Sequence, residues 1–137
     1  MKLLYLDIGN TRAKYRMLVG RGRPVSGFCK ADELQHVIEG AGVEKAFVSC
    51  VGDVVNRKRL GHYFDAAGVK QVFWAETEKQ FGDVVNAYHD YQSLGIDRWL
   101  AIIAAYERFR TSCCVFDFGS AVTVDFIDAR GSHGGGY

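Results

Sequence analysis

Two stretches of this chain, 110 positions apart, follow one plan. LLYLDIGNTRAKYRM (3–17) and CCVFDFGSAVTVDFI (113–127) each run an apolar strand into an aspartate (Asp7, Asp117), one spacer and a glycine (Gly9, Gly119). A small polar residue follows (Asn10, Ser120), and the chain leaves as a second strand. Asp, Gly and Asn are turn formers, so each stretch predicts an antiparallel hairpin. Either one alone could be a hairpin and nothing more. Together they predict a duplicated domain.

The chemistry of such turns gives the duplication a purpose. A tight glycine turn lets backbone N–H groups approach an anion closely, and small hydroxyl or amide side chains add donors. A carboxylate fixed at the end of the preceding strand can hold a hydrated divalent cation that bridges phosphate oxygens. Two such turns facing each other would grip a triphosphate from both sides. The chain has neither GxxxxGK[ST] nor GxGxxG, so the turns would stand in place of a Walker loop.

Between the hairpins the pattern is α/β. Strands are predicted at 2–7 and 13–19, joined by the Gly9-Asn10-Thr11 turn. PVSGFCK (24–30) adds a third antiparallel strand, with Pro24 confined to its start. Asp32 is placed to cap a short helix over 33–39. KAFVSCV (45–51) is continuously apolar, as a buried strand is. GDVVNRKRLGHYFDAAG has Val54, Val55, Leu60 and Phe64 at helical spacing and a natural stop at Gly68. KQVFWA returns as a strand, completing a parallel β-α-β unit over 45–75. Residues 76–93 look irregular. The segment 94–110 is the strongest helix, with Leu100, Ile103 and Tyr106 on its apolar face. Strands at 113–118 and 121–128 follow, and GSHGGGY reads as a turn or a tail.

Composition narrows the function. The 137 residues are 48% hydrophobic and 24% charged, which suits a soluble protein with one substantial core. A net charge of +1 supplies no field to recruit nucleic acid or an acidic membrane, so any anion site is local. No apolar run approaches the roughly 20 residues of a membrane span, and a secretory signal is not expected. Cys29, Cys50, Cys113 and Cys114 form no CxxC pair, and His36, His62, His89 and His133 are scattered. Reduced thiols in a cytoplasm are expected, and a zinc site is not.

The paired turns resemble the phosphate motifs of the acetate kinase, sugar kinase, Hsp70 and actin superfamily. Within it, DIGNTRAK (7–14), NAYHDYQSLGIDRW (86–99) and DFGSAVTVD (117–125), in that order, resemble the type III pantothenate kinases. The resemblance implies an RNase H-like mixed sheet flanked by helices, in an actin-like ATPase duplication with the second domain truncated. Residues 1–112 would be the N-terminal domain and 113–137 the first hairpin of the second. Family members run to nearly twice this length, so the chain is expected to be a fragment with little kinase activity by itself. Ser120 stands where members usually carry threonine, a change that keeps the hydroxyl.

The same resemblance implies roles. Asp7 would organise Mg²⁺ at the phosphates of ATP, within a phosphate-contacting segment of Asp7, Ile8, Gly9, Asn10, Thr11, Arg12, Ala13 and Lys14. Lys14 serves equally well as a solvated strand lysine. Asp117 resembles the residue that binds the required monovalent cation, K⁺ or NH₄⁺, and Ser120 would donate to phosphate. The GxDR segment, Gly95, Ile96, Asp97 and Arg98, binds pantothenate in the family. Arg98 can offer a bidentate fork to the pantothenate carboxylate, and Asp97 would accept the hydroxyl proton as the catalytic base. Without the resemblance, an acidic residue there simply suits the helix dipole. Tyr88 resembles another pantothenate contact, and Trp99 is read as packing. The implied protein is a homodimeric cytoplasmic kinase, with pantothenate at the subunit interface. An accessory protein that binds nucleotide without turnover is the alternative on the same fold. An RNase H-like nuclease would need converging carboxylates and a basic face, which the charge does not support.

Overall fold

The computed structural model describes residues 1–9, 11–51, 54–119 and 121–137, with residues 54–56 described by backbone alone. Asn10 and Ser120, both expected at phosphate, and the side chains of Val54 and Val55 lie outside the described residues. The chain divides into two compact units, Met1–Ala75 and Glu76–Tyr137.

The first unit is a five-stranded sheet in the order β3-β2-β1-β4-β5. β1 (Lys2–Ile8), β2 (Ala13–Val19) and β3 (Val25–Cys29) form an antiparallel meander. β4 (Lys45–Cys50) and β5 (Gln71–Trp74) continue it in parallel from β1. Alternation along β1 sends Leu4, Leu6 and Ile8 into the core, where they meet α1 (Leu34–Ile38) and α2 (Val54–Ala66) through Leu34, Ile38, Leu60 and Phe64. On the opposite face Tyr5, Phe47 and Phe73 stack in a row across three strands, with centroid spacings of 5.1 and 5.0 Å. The mixed sheet is the one expected from the sequence.

Local signals mostly held. α2 ends in a Schellman motif: Val69 N–H bonds Phe64 C=O at 3.0 Å and Gly68 N–H bonds Asp65 C=O at 3.1 Å, with Gly68 at φ +70°. Asp32 does not cap α1. The helix begins one residue later than expected, Glu33 occupies the capping position with no side-chain bond to the helix, and the Glu33 carboxylate instead accepts the Lys30 N–H.

In the second unit, α3 (Ile96–Phe109) packs on β8 (Cys113–Phe118) and β9 (Val122–Ile127). Its buried face is Ile96, Trp99, Ile102 and Tyr106. This corrects the face expected from Leu100 and Ile103: Leu100 is 38% exposed, whereas Trp99 is 1% exposed. The helix carries apolar residues nearly all round, so periodicity could not choose between adjacent stripes. The bulk of Trp99 decides it. The glycine run is also corrected. His133–Gly136 is strand β10, antiparallel to β9 in a β10-β9-β8 sheet. Residues 76–93 are held by a two-residue ladder, β6 (Gln80–Phe81) with β7 (Val84–Val85), and a 3₁₀ turn at Tyr91–Ser93. Asn86, fully buried, donates from Nδ2 to Glu78 C=O and Tyr91 C=O and accepts the Tyr88 N–H at 3.0 Å. Among the described residues no helix is long and apolar enough to cross a membrane.

Candidate functional site

In the first unit the β1–β2 hairpin places Asp7 at the last register position but one before the turn. Lys14 lies directly opposite it on β2 and Ser49 directly opposite on β4. Residues paired in this way share a face of the sheet, so Asp7 and Lys14 present opposite charges on the same side. Ile8 and Ala13 point into the core, and the Ile8 C=O is committed to the Val51 N–H at 2.8 Å. Gly9, Thr11 and Arg12 are exposed. The Gly9 N–H is committed to the Arg12 C=O at 3.0 Å, which closes the turn. The Thr11 hydroxyl and the Lys14 ammonium are exposed donors beside the turn. The Arg12 guanidinium lies 5.3 Å from the Phe28 ring centroid. Burial pushes the Cys50 thiol up in pKa; Arg57 opposes the shift and the negative charge of Asp7 adds to it. The Ser49 hydroxyl is buried and has no hydrogen-bond partner among the described residues.

The second hairpin repeats the first only up to its glycine. Ile8 pairs with Ala13, leaving four residues in the first loop, whereas Phe118 pairs with Val122, leaving three in the second. The Gly119 N–H accordingly reaches the Ala121 C=O at 3.0 Å. One fewer loop residue shifts the return strand by one. Thr123, rather than Val124, therefore stands opposite Asp117 as Lys14 stands opposite Asp7. Asp117, Thr123 and Asp125 share the face of the sheet that receives α3. Phe116, Phe118, Val122 and Phe126 lie on the other face and are exposed.

The GxDR residues sit where α3 begins. Gly95 is the N-cap and contributes no side-chain bond. Asp97, in the first turn, accepts the Arg98 N–H on Oδ1 at 2.8 Å. Its Oδ2 has no partner among the described residues. Arg98 does not stand free. Its Nε donates to Asp125 Oδ2 at 2.9 Å and its Nη2 to Asp125 Oδ1 at 2.7 Å. That bidentate pair raises the basicity of Arg98, and burial opposes the rise. His133 Nε2 lies 3.1 Å from Asp125 Oδ1, and His133 Nδ1 accepts the Ala87 N–H at 3.3 Å. The ring of Tyr88, half-buried, stacks on His133 at 5.9 Å and lies 6.0 Å from the Arg98 guanidinium. Tyr88 and Arg98 are thus gathered in the second unit around Asp125 and His133, and Asp97 joins them through the Arg98 N–H. Neither was expected at the site: Asp125 ends DFGSAVTVD, and His133 lies in the run expected to be a turn or a tail. The one sequence signal was a carboxylate alternating with Val124 and Phe126 on a strand that must bury one face.

Asp7, half-buried near the end of β1, could hold a hydrated divalent cation bound mainly through phosphate oxygens, since Mg²⁺ retains several waters and needs few protein ligands. Asp117 with the Thr123 hydroxyl offers oxygen donors suited to a monovalent cation. Among the described residues no three His, Cys, Asp or Glu side chains are grouped to hold a metal by themselves.

The fold is that of the actin-like ATPase and sugar kinase class. It is shared with the ethanolamine utilization protein EutJ of Carboxydothermus hydrogenoformans (TM-score 0.54, 12% identity, covering 100% of this chain and 51% of that one). It is also shared with the Lmo2764 protein of Listeria monocytogenes (TM-score 0.50, 12% identity, 97% and 49%). Residues 3–137 match the profile of the type III pantothenate kinases, and the chain belongs to that family. It is 42% identical over 142 residues to the type III pantothenate kinase of Hahella chejuensis, covering 100% of this chain and 58% of that protein. It is 38% identical over 141 residues to that of Ectopseudomonas mendocina (98% and 56%) and 37% identical over 142 to that of Marinobacter nauticus (98% and 57%). The chain therefore spans less than three fifths of the length of these curated relatives.

Proposed function

We propose that this chain belongs to a cytoplasmic, homodimeric kinase that transfers the γ-phosphoryl group of ATP to the hydroxyl of pantothenate, the first step of coenzyme A biosynthesis. Its family membership over 3–137 supports the reading, and the pairing of Asp97 with Arg98 at the start of α3 carries it. Relatives that cover the whole chain bear the name of this enzyme.

Catalysis of phosphoryl transfer is mostly positioning and charge neutralisation. Asp97 Oδ2 takes the proton of the pantothenate hydroxyl as that oxygen approaches phosphorus. Arg98 holds the pantothenate carboxylate, and Tyr88 packs against the substrate. Thr11, Lys14, the apex of the β1–β2 turn and Ser120 hold the phosphates. Asp7 would hold Mg²⁺ and Asp117 the monovalent cation, whose chemistry is to neutralise the charge gathered on the phosphate oxygens. The duplication is proposed to begin at residue 113, with 1–112 as the N-terminal domain. An evolutionary boundary of this kind need not coincide with a packing boundary, because α3 precedes β8 in sequence and still packs on it.

The test is ATP-dependent phosphorylation of pantothenate by the full-length protein, followed by mass detection of the phosphorylated product. Product formation that requires both substrates is expected. Nucleotide binding without product would overturn the assignment.

A further inference from the structure

We propose that Asp125 and His133 are positioning residues for Arg98: they clamp one edge of its guanidinium, so that only the other edge can take a substrate carboxylate. The inference rests on the reading above, in which Arg98 binds the pantothenate carboxylate.

A guanidinium has five N–H donors in one plane. Asp125 occupies two of them, on Nε and Nη2. The three that remain, two on Nη1 and one on Nη2, form the far edge, which lies beside the Tyr88 side chain and can bind a second carboxylate end-on. A free arginine would have to order a long side chain on every binding event. Here the plane is set before substrate arrives.

The clamp is itself held from behind. Asp125 is 2% exposed and His133 5% exposed. His133 Nδ1 accepts the Ala87 N–H, so it carries no proton, and Nε2 is the nitrogen that donates to Asp125. The same imidazole stacks under Tyr88. One Asp–His pair therefore sets the places of both Arg98 and Tyr88, which reach it from one distant segment, 86–99. Gly136 closes the arrangement. It lies opposite Asp125 in the β9–β10 ladder, and a Cβ on it would stand 2.1 Å from Asp125 Oδ1 and 2.6 Å from Arg98 Nη2. Only glycine lets the β10 backbone cover the ion pair.

Asp125 could instead be a competitor that fills the carboxylate site. Its burial and its second bond, to His133, oppose that role, because a competitor must leave when substrate binds. The Arg98–Asp125 pair has no net charge, so its contribution to binding is geometric and belongs in KM for pantothenate.

The experiment is steady-state kinetics on full-length Asp125→Asn, His133→Phe, His133→Gln and Arg98→Ala, each checked for folding by thermal melting. Asp125→Asn is expected to raise the pantothenate KM about ten- to hundredfold, the scale seen when a partner that orients a ligating group is lost. kcat should stay within about threefold, and KM for ATP should not change. His133→Phe should raise the pantothenate KM, and His133→Gln, which keeps an N–H donor, should restore much of it. If Asp125→Asn does not fold, the two His133 variants decide. A lowered KM in Asp125→Asn would make Asp125 a competitor, and a folded Asp125→Asn or His133→Phe with unchanged KM would remove the clamp. Either result overturns the inference. If Arg98→Ala raises KM while those variants do not, the clamp alone is wrong. If Arg98→Ala leaves KM unchanged, the reading of Arg98 falls, and the clamp with it.

Discussion

Asp97→Asn separates a catalytic base from a helix-start residue, because the two roles predict different magnitudes in different measurements. Asp97 Oδ1 accepts the Arg98 N–H at 2.8 Å, and an asparagine carbonyl can keep that bond. What folding loses is a negative charge at the N-terminus of α3, worth about 0.3–1 kcal/mol. For a chain of this size that is a fall of no more than a few degrees in Tm. What catalysis loses is the proton acceptor. General-base catalysis supplies about 10²–10⁴-fold, and a loose phosphoryl-transfer transition state asks little of the nucleophile's proton, so the lower end applies. A fall in kcat of about 10²-fold corresponds to about 2.7 kcal/mol of barrier. The barrier change thus exceeds the stability change severalfold. KM for ATP should barely move, since the residues proposed for the phosphates do not include Asp97. The assay is steady-state kinetics on the full-length protein, with both substrates varied and melting recorded in parallel. If folded Asp97→Asn keeps kcat within about threefold of the parent, Asp97 only begins a helix and the base lies elsewhere.

Gly95→Ala should damage the same step without touching the base: its Cβ would stand 2.7 Å from Asp97 Oδ1, so the carboxylate must swing away, lowering kcat severalfold in the same assay with little change in Tm. Retention of full activity would mean that the carboxylate works in the displaced position. Ser49→Ala should stabilise the protein by about 1 kcal/mol, read as a higher urea midpoint, because it removes a buried hydroxyl without a partner; a loss of that size would reveal a bond to the hydroxyl. Asp128 accepts the Ser132 and Arg130 N–H groups, each at 2.8 Å, and these bonds hold its pKa below the ordinary 3.8. A depressed carboxylate contributes stability above its ordinary value and loses it as pH falls through the depressed one. Asp128→Asn should therefore be less stable than the parent near neutral pH and equal to it in strong acid, by urea melts across that range; a gap that persists in acid would assign the effect to shape rather than charge.

The amino-acid order alone determined the mixed sheet, because its evidence is local. Alternation in β1, continuous apolarity in β4 and the glycine after α2 each state an element within a few residues. The two hairpins and the GxDR segment are legible for the same reason, each being contiguous. The buried stripe of α3 was not legible: its apolar residues outnumber one face, and the fit of Trp99 against β8 and β9 chooses among them. Nor was β10, since glycines favour a turn until a neighbouring strand needs a backbone without side chains. Tertiary structure alone decided that Arg98 meets Asp125, 27 positions away, and that His133 meets the backbone of Ala87, 46 positions away. Pairings of that range depend on a register shift of one residue in the second hairpin and on the closeness of the β9 and β10 backbones. Neither leaves a mark on the local pattern, because the length of the loop and the approach of β10 show only once the strands have paired.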